Sequence, residues 1–266
     1  MDAIITNTTT TNILPTTPNT LTRTTVFRLL TRKPSKPRAV LKSKITPTYN
    51  YDLIDKYIAE IPQDAIDEYS KYWETIKPIT DEEYFKRWLF AFLSVHTAWS
   101  SNVRGYINVT KDPLQSKLQL RDIISYSGVG LIEMRTNGMW QFKEDFFKDP
   151  KVWKKQEGET WVQFRDRTMN MSFGIGYAKT AFAIELCYPT ECEVTCLDIH
   201  MLRFYNDKTK GHQSPEEYKK LEQHWITACK NRKIPAFMAR NIYWNGIQHQ
   251  ENSKYWSWIF ETPLTK

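Results

Sequence analysis

From Tyr51 onward, apolar residues recur at helical spacing and hardly ever alternate. Ile54, Tyr57, Ile58 and Ile61 share one face of a helix, and Ala65, Tyr69 and Tyr72 open a second. Glu83–Val95 is apolar enough to predict a core helix. Pro113 opens a segment in which Leu114, Leu118, Leu120, Ile123 and Ile124 predict another, and Val129–Phe147 is rich in aromatics. Trp161, Val162, Phe164, Met169 and Met171 mark an amphipathic helix. Ala181, Phe182, Ile184, Leu186 and Cys187 mark the next, which Pro189 ends because proline cannot continue a helix. Ser214-Pro215-Glu216-Glu217 reads as an N-cap followed by proline at the first helical position, opening a helix with Tyr218, Leu221, Trp225 and Cys229. Pro235 starts a last helix bearing Phe237, Met238, Ile242, Tyr243, Trp244 and Ile247. With so few period-two segments, the expected fold is all-α. The aromatics Tyr243, Trp244, Tyr255, Trp256 and Trp258 are expected to close one core.

The pattern fails before residue 49. Residues 1–22 are rich in Thr and Asn, with an all-polar run from Thr6 to Asn12, a composition too poor in apolar residues to fold. Residues 23–46 are basic and interrupted by Pro34 and Pro37. The expected organisation is therefore a disordered, then basic, tail over 1–48 and a folded domain over 49–266. Charge sharpens this division. Residues 1–50 hold eight basic residues and one acid, a net +7 that equals the formal charge of the whole chain. The tail reads as an arm for a polyanion or as a solvated tail. An organelle presequence is the alternative, since an Arg/Thr-rich, acid-poor start suits one. Within the folded part, residues 51–100 are net −5 and 201–266 net +5, so a basic face is expected from the C-terminal portion.

With 266 residues the chain can bury a full core, and it lacks the apolar run of about 18 residues that a membrane span needs. The four cysteines, Cys187, Cys192, Cys196 and Cys229, suggest an intracellular, reducing compartment. Their spacing matches no zinc pattern, so no metal site is expected.

The chemistry concentrates between Ser172 and His200. Gly174-Ile175-Gly176 lies between two predicted helices, and Asp198 follows the second in the apolar setting Cys196-Leu197-Asp198-Ile199-His200. Glycines let backbone amides approach an anion, and a helix N-terminus adds unpaired donors and a favourable dipole. Alone, Gly-x-Gly more often marks a turn.

Helix, Gly-x-Gly, helix, carboxylate resembles the helix-hairpin-helix and Gly/Pro-Asp motif of the DNA glycosylase superfamily. There the pattern is close to Leu-Pro-Gly-(Val/Ile)-Gly, a helix, then Val-Asp-Thr-His. Upstream, WLFAFLSVHTAWSSNVRGY from Trp88 to Tyr106 is similar to the family's early helix and loop. The resemblance covers about residues 85–205 and is nearest in look to small phage-encoded glycosylase-like proteins. It implies a two-lobed helix-hairpin-helix glycosylase-like fold, its second lobe assembled from both ends of the chain and Asp198 in the cleft between lobes. It also implies a monomer that binds double-stranded DNA and hydrolyses the glycosidic bond of a flipped, damaged, mismatched or modified base, with host cytoplasm as the compartment if the source is viral. A base-modifying transferase on the same scaffold and a non-catalytic DNA-binding protein are the rival readings.

By the resemblance, Asp198 opposes positive charge on the sugar and orients water; by its residue pattern alone it is a helix N-cap. Lys179 is a Schiff-base nucleophile, a phosphate contact or a solvated lysine. Counted from Gly176, Ala178 takes the position of the family's lyase lysine; counted back from Asp198, Lys179 does. Gly174, Ile175, Gly176 and Tyr177 are the expected phosphate-gripping hairpin, with Phe173, in place of the family's proline, as an apolar plug. His96 stands where the family fills the gap left by the flipped base, with Trp99 and Asn102 in the same loop, and His200 orients Asp198 or packs beneath it. Only Cys229 follows Asp198, so an iron–sulfur cluster of the family's type has no ligands. No cofactor is expected, although the hairpin leaves room for a monovalent cation.

Overall fold

A computed structural model describes residues 49–111, 114–206 and 213–248, together with Trp256, Ile259 and Phe260. All belong to one compact unit spanning Thr46–Lys266. The tail over 1–48, Pro113, Tyr255 and Trp258 lie outside the described residues.

The described residues form eleven α-helices and no strand: α1 Tyr51–Glu60, α2 Gln63–Thr75, α3 Asp81–Leu93, α4 Trp99–Lys111, α5 Lys117–Tyr126, α6 Ile132–Lys148, α7 Trp161–Met171, α8 Tyr177–Cys187, α9 Ile199–Phe204, α10 Pro215–Arg232 and α11 Ala236–Ile247, with a 3-10 turn at Pro150–Trp153. Short polar side chains fix the boundaries. Thr80 and Glu83 form a reciprocal capping box that starts α3 at Asp81, two residues before the apolar run. Thr160 with Gln163 starts α7 in the same way, and Ser214 with Glu217 starts α10. Ser116 caps α5, so that helix begins at Lys117 rather than at Pro113.

Two hydrophobic cores result. The first gathers α3 through α8 with Trp73, Cys192–Cys196, Phe237, Met238, Trp256 and Ile259. The second gathers Ile54–Ile66, Leu197–Tyr205 and Tyr218–Ala236 with Ala239, which are residues from both ends of the folded chain. The expected aromatic closure divides between them: Tyr243 stacks on Phe204 at 4.3 Å in the second, whereas Trp256 packs on Trp73, Phe90 and Phe182 in the first. One short stretch crosses from core to core, because Cys196 belongs to the first and Leu197 to the second. Asp198 is the next residue. Among the described residues no helix is long and apolar enough to cross a membrane.

Candidate active site

The α7–α8 hairpin is held by backbone geometry. Ser172 ends α7, its hydroxyl donating to the Thr168 carbonyl at 2.7 Å. Gly174 then takes φ +87°, a left-handed conformation that strains any residue with a Cβ. Its neighbour across the gap is Met134 on α6. Four residues on, Gly138 of the same helix lets the Phe173 carbonyl approach so closely that a Cβ there would overlap it. Helix α6 is thus the bed on which the hairpin lies.

The apolar plug is Ile175, buried in the first core, and not Phe173, which is half-exposed. The Ile175 side chain is therefore unavailable to DNA. Gly176 has an extended conformation, φ −114° and ψ −166°, and caps α8 without a side-chain hydrogen bond. A Cβ at Gly176 would point into open space. The first acceptor bonds of α8 come from Lys179 and Thr180 N–H to the Gly176 carbonyl, at 3.1 and 3.0 Å. The amides of Tyr177 and Ala178 have no acceptor among the described residues, which leaves them for an anion. The Tyr177 ring packs away, stacked on Tyr218 at 5.3 Å beneath the Arg165 guanidinium.

Asp198 is half-buried at the N-cap of α9. Its Oδ1 accepts from the His200 and Met201 amides at 2.9 and 3.1 Å, while Oδ2 makes no hydrogen bond among the described residues. His200 therefore orients Asp198 through its backbone rather than its ring. Lys179 Nζ lies over the Phe182 ring at 5.4 Å, and Arg240 lies over the same ring at 5.3 Å. Both cations act on the buried Cys196 thiol: burial pushes it up to about 12, Lys179 and Arg240 oppose the rise, and Asp198 and Glu185 add to it. Lys179 and Arg240 thus share the Phe182 ring, and Glu185 bonds the Cys196 amide at 3.1 Å. Tyr243 is also raised, by burial first and by Asp198 second.

His96 is exposed and left-handed, φ +46°, a conformation that costs a non-glycine residue about 1–3 kcal/mol. Arg135 on α6 holds the loop. Its buried guanidinium donates to the carbonyls of Phe92, Val95 and Gly130 and to the Thr97 hydroxyl. Burial lowers its pKa to about 10. The acceptors at the C-terminal end of α3 carry the negative end of that helix's dipole and offset the buried charge. Trp99 and Asn102 do not share the loop. Trp99 begins α4 and packs against Phe90, Trp244 and Trp256, with ring centroids 5.0–5.6 Å apart, and Asn102 is buried one turn later. The loop spans so few residues that both fall on the following helix.

Sequence reasoning missed Arg135 and two buried ion pairs: Glu185 with Arg240 and Glu222 with Arg165. The only local signal was a single charge inside an apolar run, as in Ala183-Ile184-Glu185-Leu186 and Met238-Ala239-Arg240. An open groove of about 570 Å³ borders α7, lined by Glu157, Glu159 and Asp166 among others, and none of the expected site residues lines it. Among the described residues, no group of three His, Cys, Asp or Glu side chains is placed to hold a metal ion.

No protein-family model matches the chain, and no curated sequence does. Two solved structures share the fold. One is the 8-oxoguanine DNA glycosylase of Methanocaldococcus jannaschii, with a TM-score of 0.58 and 16% identity over 73% of this chain and 92% of that one. The other is the 8-oxoguanine glycosylase/lyase of the same organism in complex with a 15mer DNA containing 8-oxoguanine, with a TM-score of 0.57 and 18% identity over 71% and 92%. The chain therefore has the all-helical, two-lobed architecture of these glycosylases.

Proposed function

We propose that the protein is a DNA N-glycosylase that binds duplex DNA and hydrolyses the glycosidic bond of a flipped base. The observation that carries this reading is the place of Asp198: a carboxylate at the crossing between two cores, fixed by two amides through one oxygen and free at the other. As the glycosidic bond breaks, its electrons leave with the base and positive charge grows on the sugar. A fixed carboxylate opposes that charge without reorganising, and its free oxygen orients the water that attacks C1′. The uncapped amides of α8 hold a backbone phosphate without reading sequence, and extrusion of the nucleotide supplies the base.

A second reading is favoured by Lys179. Its Nζ shares the Phe182 ring with Arg240, and its charge, like that of Asp198, acts on the Cys196 thiol. An amine so placed can attack C1′ in place of water, forming a carbon–nitrogen bond as the base leaves, which is the first step of a glycosylase/lyase. Ala178, the competing position, packs against both cores and carries no nucleophile.

The test is a panel of duplexes, each with one altered base and 8-oxoguanine foremost, scored separately for free base, abasic sites and strand breaks. Base release from at least one duplex, lost in Asp198→Asn, is the expected result. Added mass on the DNA would mark a transferase, and binding without product would leave a non-catalytic DNA-binding protein.

A further inference from the structure

The chain reaches Asp198 through a buried stretch without regular structure, Thr195–Leu197, whose polar groups would be costly to bury unpaired. Side chains satisfy them. The Thr195 amide donates to Glu222 Oε1 at 3.1 Å, and the Thr195 carbonyl accepts from the Tyr218 hydroxyl at 2.7 Å. Glu185 Oε1 alone takes three donors: the Thr195 hydroxyl at 2.9 Å, the Cys196 amide at 3.1 Å and Arg240 Nε at 2.8 Å. Its Oε2 lies 2.6 Å from Arg240 Nη2, a second charge contact of the same ion pair that lacks hydrogen-bond geometry. Both partners are buried. Burial alone would lower the Arg240 pKa and raise that of Glu185; the attraction within the pair more than reverses the first and opposes the second. The same guanidinium is within electrostatic range of Asp198.

Glu185 thus does two things at once. It fixes the two residues that lead to Asp198, and it pairs with Arg240, a cation whose charge also interacts with the Asp198 carboxylate. We propose that Glu185 is the positioning residue of Asp198, holding the Thr195–Cys196 turn and keeping Arg240 from quenching the carboxylate. The proposal rests on the reading of Asp198 as the group that opposes charge on the sugar. Among the described residues, Lys179 on α8, Tyr243 on α11 and the Cys192 and Cys196 thiols also interact with these charges.

The experiment needs no knowledge of the base. Full-length protein is titrated with two duplexes, one bearing a neutral tetrahydrofuran abasic analogue and one a cationic pyrrolidine analogue that mimics the charged sugar. The parent should prefer the cation at least tenfold, and Asp198→Asn should lose that preference. Glu185→Gln keeps the shape and one acceptor but frees Arg240. It should cut the preference to threefold or less while binding the neutral duplex within about twofold of the parent. Arg240→Lys, which keeps the charge but loses the Nε hydrogen bond to Glu185, should cut the preference in the same direction. It carries the test if circular dichroism shows Glu185→Gln unfolded. A preference unchanged in a folded variant overturns the role of Glu185 and leaves Asp198 standing. A parent without preference overturns the reading of Asp198 itself, and this inference with it.

Discussion

Replacing Asp198 by Asn preserves the side chain's shape, and a single amide oxygen can still accept from His200 and Met201, as Oδ1 does now. The loss to the α9 cap should stay near about 1 kcal/mol. What disappears is the negative charge. Base release should therefore fall below detection while duplex affinity stays within a few-fold, as read by single-turnover assay and fluorescence anisotropy on one preparation. Unchanged turnover would remove Asp198 from the chemistry. Capping would not compete with the proposed catalytic role, since the two amides that begin α9 are what hold the free oxygen in place. Lys179 calls for a different measurement. Lys179→Gln removes one cation from beside the Phe182 ring, so base release should slow yet remain measurable if water is the attacking group. Borohydride trapping decides the point: an adduct formed by the parent and absent from Lys179→Gln would make the lysine the nucleophile and the reaction a glycosylase/lyase.

The two glycines of the hairpin separate strain from ligand approach. Gly174 is left-handed, and a methyl group placed on it would meet Met134 Cγ at 3.4 Å. Gly174→Ala should therefore destabilise the fold by about 1–2 kcal/mol in urea denaturation. Gly176 is extended and faces open space, so Gly176→Val should leave the folded state nearly as stable. It should instead weaken DNA binding strongly, because its branched side chain fills the space a phosphate must enter. Equal effects of both variants on stability would sink the distinction. The hairpin was legible in sequence because its signals are local: two glycines, flanking apolar helices and a carboxylate. So were most helices and the all-α class, through periodicity and caps such as Ser214-Pro215. The support beneath the hairpin was not legible. Gly138 is one small residue in an ordinary helix until the Phe173 carbonyl is laid on it. Glu185 meets Arg240 across 55 residues of chain and Arg165 meets Glu222 across 57, pairings that no local pattern encodes. The assignment of Trp99 and Asn102 to a loop failed for a related reason: helix α4 starts at Trp99, and core contacts then claimed both side chains.

At the scale of the molecule, the net charge and the candidate site lie in different parts of the chain. Residues 51–266 carry equal numbers of basic and acidic groups, and the whole formal excess of +7 resides in residues 1–50. The site itself is nearly balanced too, since Glu185 answers Arg240, and Glu222 and Asp166 answer Arg165 and Lys219. A folded part so constituted can grip one or two phosphates through backbone amides, yet has little net charge with which to attract a duplex from a distance. The basic N-terminal segment supplies that attraction if it acts as an arm on DNA. Each phosphate it neutralises releases condensed counterions, and this steepens the fall of affinity with salt by about 0.9 per contact in a log–log plot. Deleting residues 1–46 should therefore weaken duplex binding and flatten its salt dependence together. Turnover at saturating DNA should persist, because Asp198, the hairpin and both cores lie beyond the deletion. Affinity measured between about 50 and 200 mM salt for the full and shortened chains gives both quantities from one set of titrations. If neither changes, the arm has no part in DNA binding, and a targeting segment or an inert tail is favoured. If affinity falls but the slope does not, the segment contributes by contacts other than phosphate neutralisation.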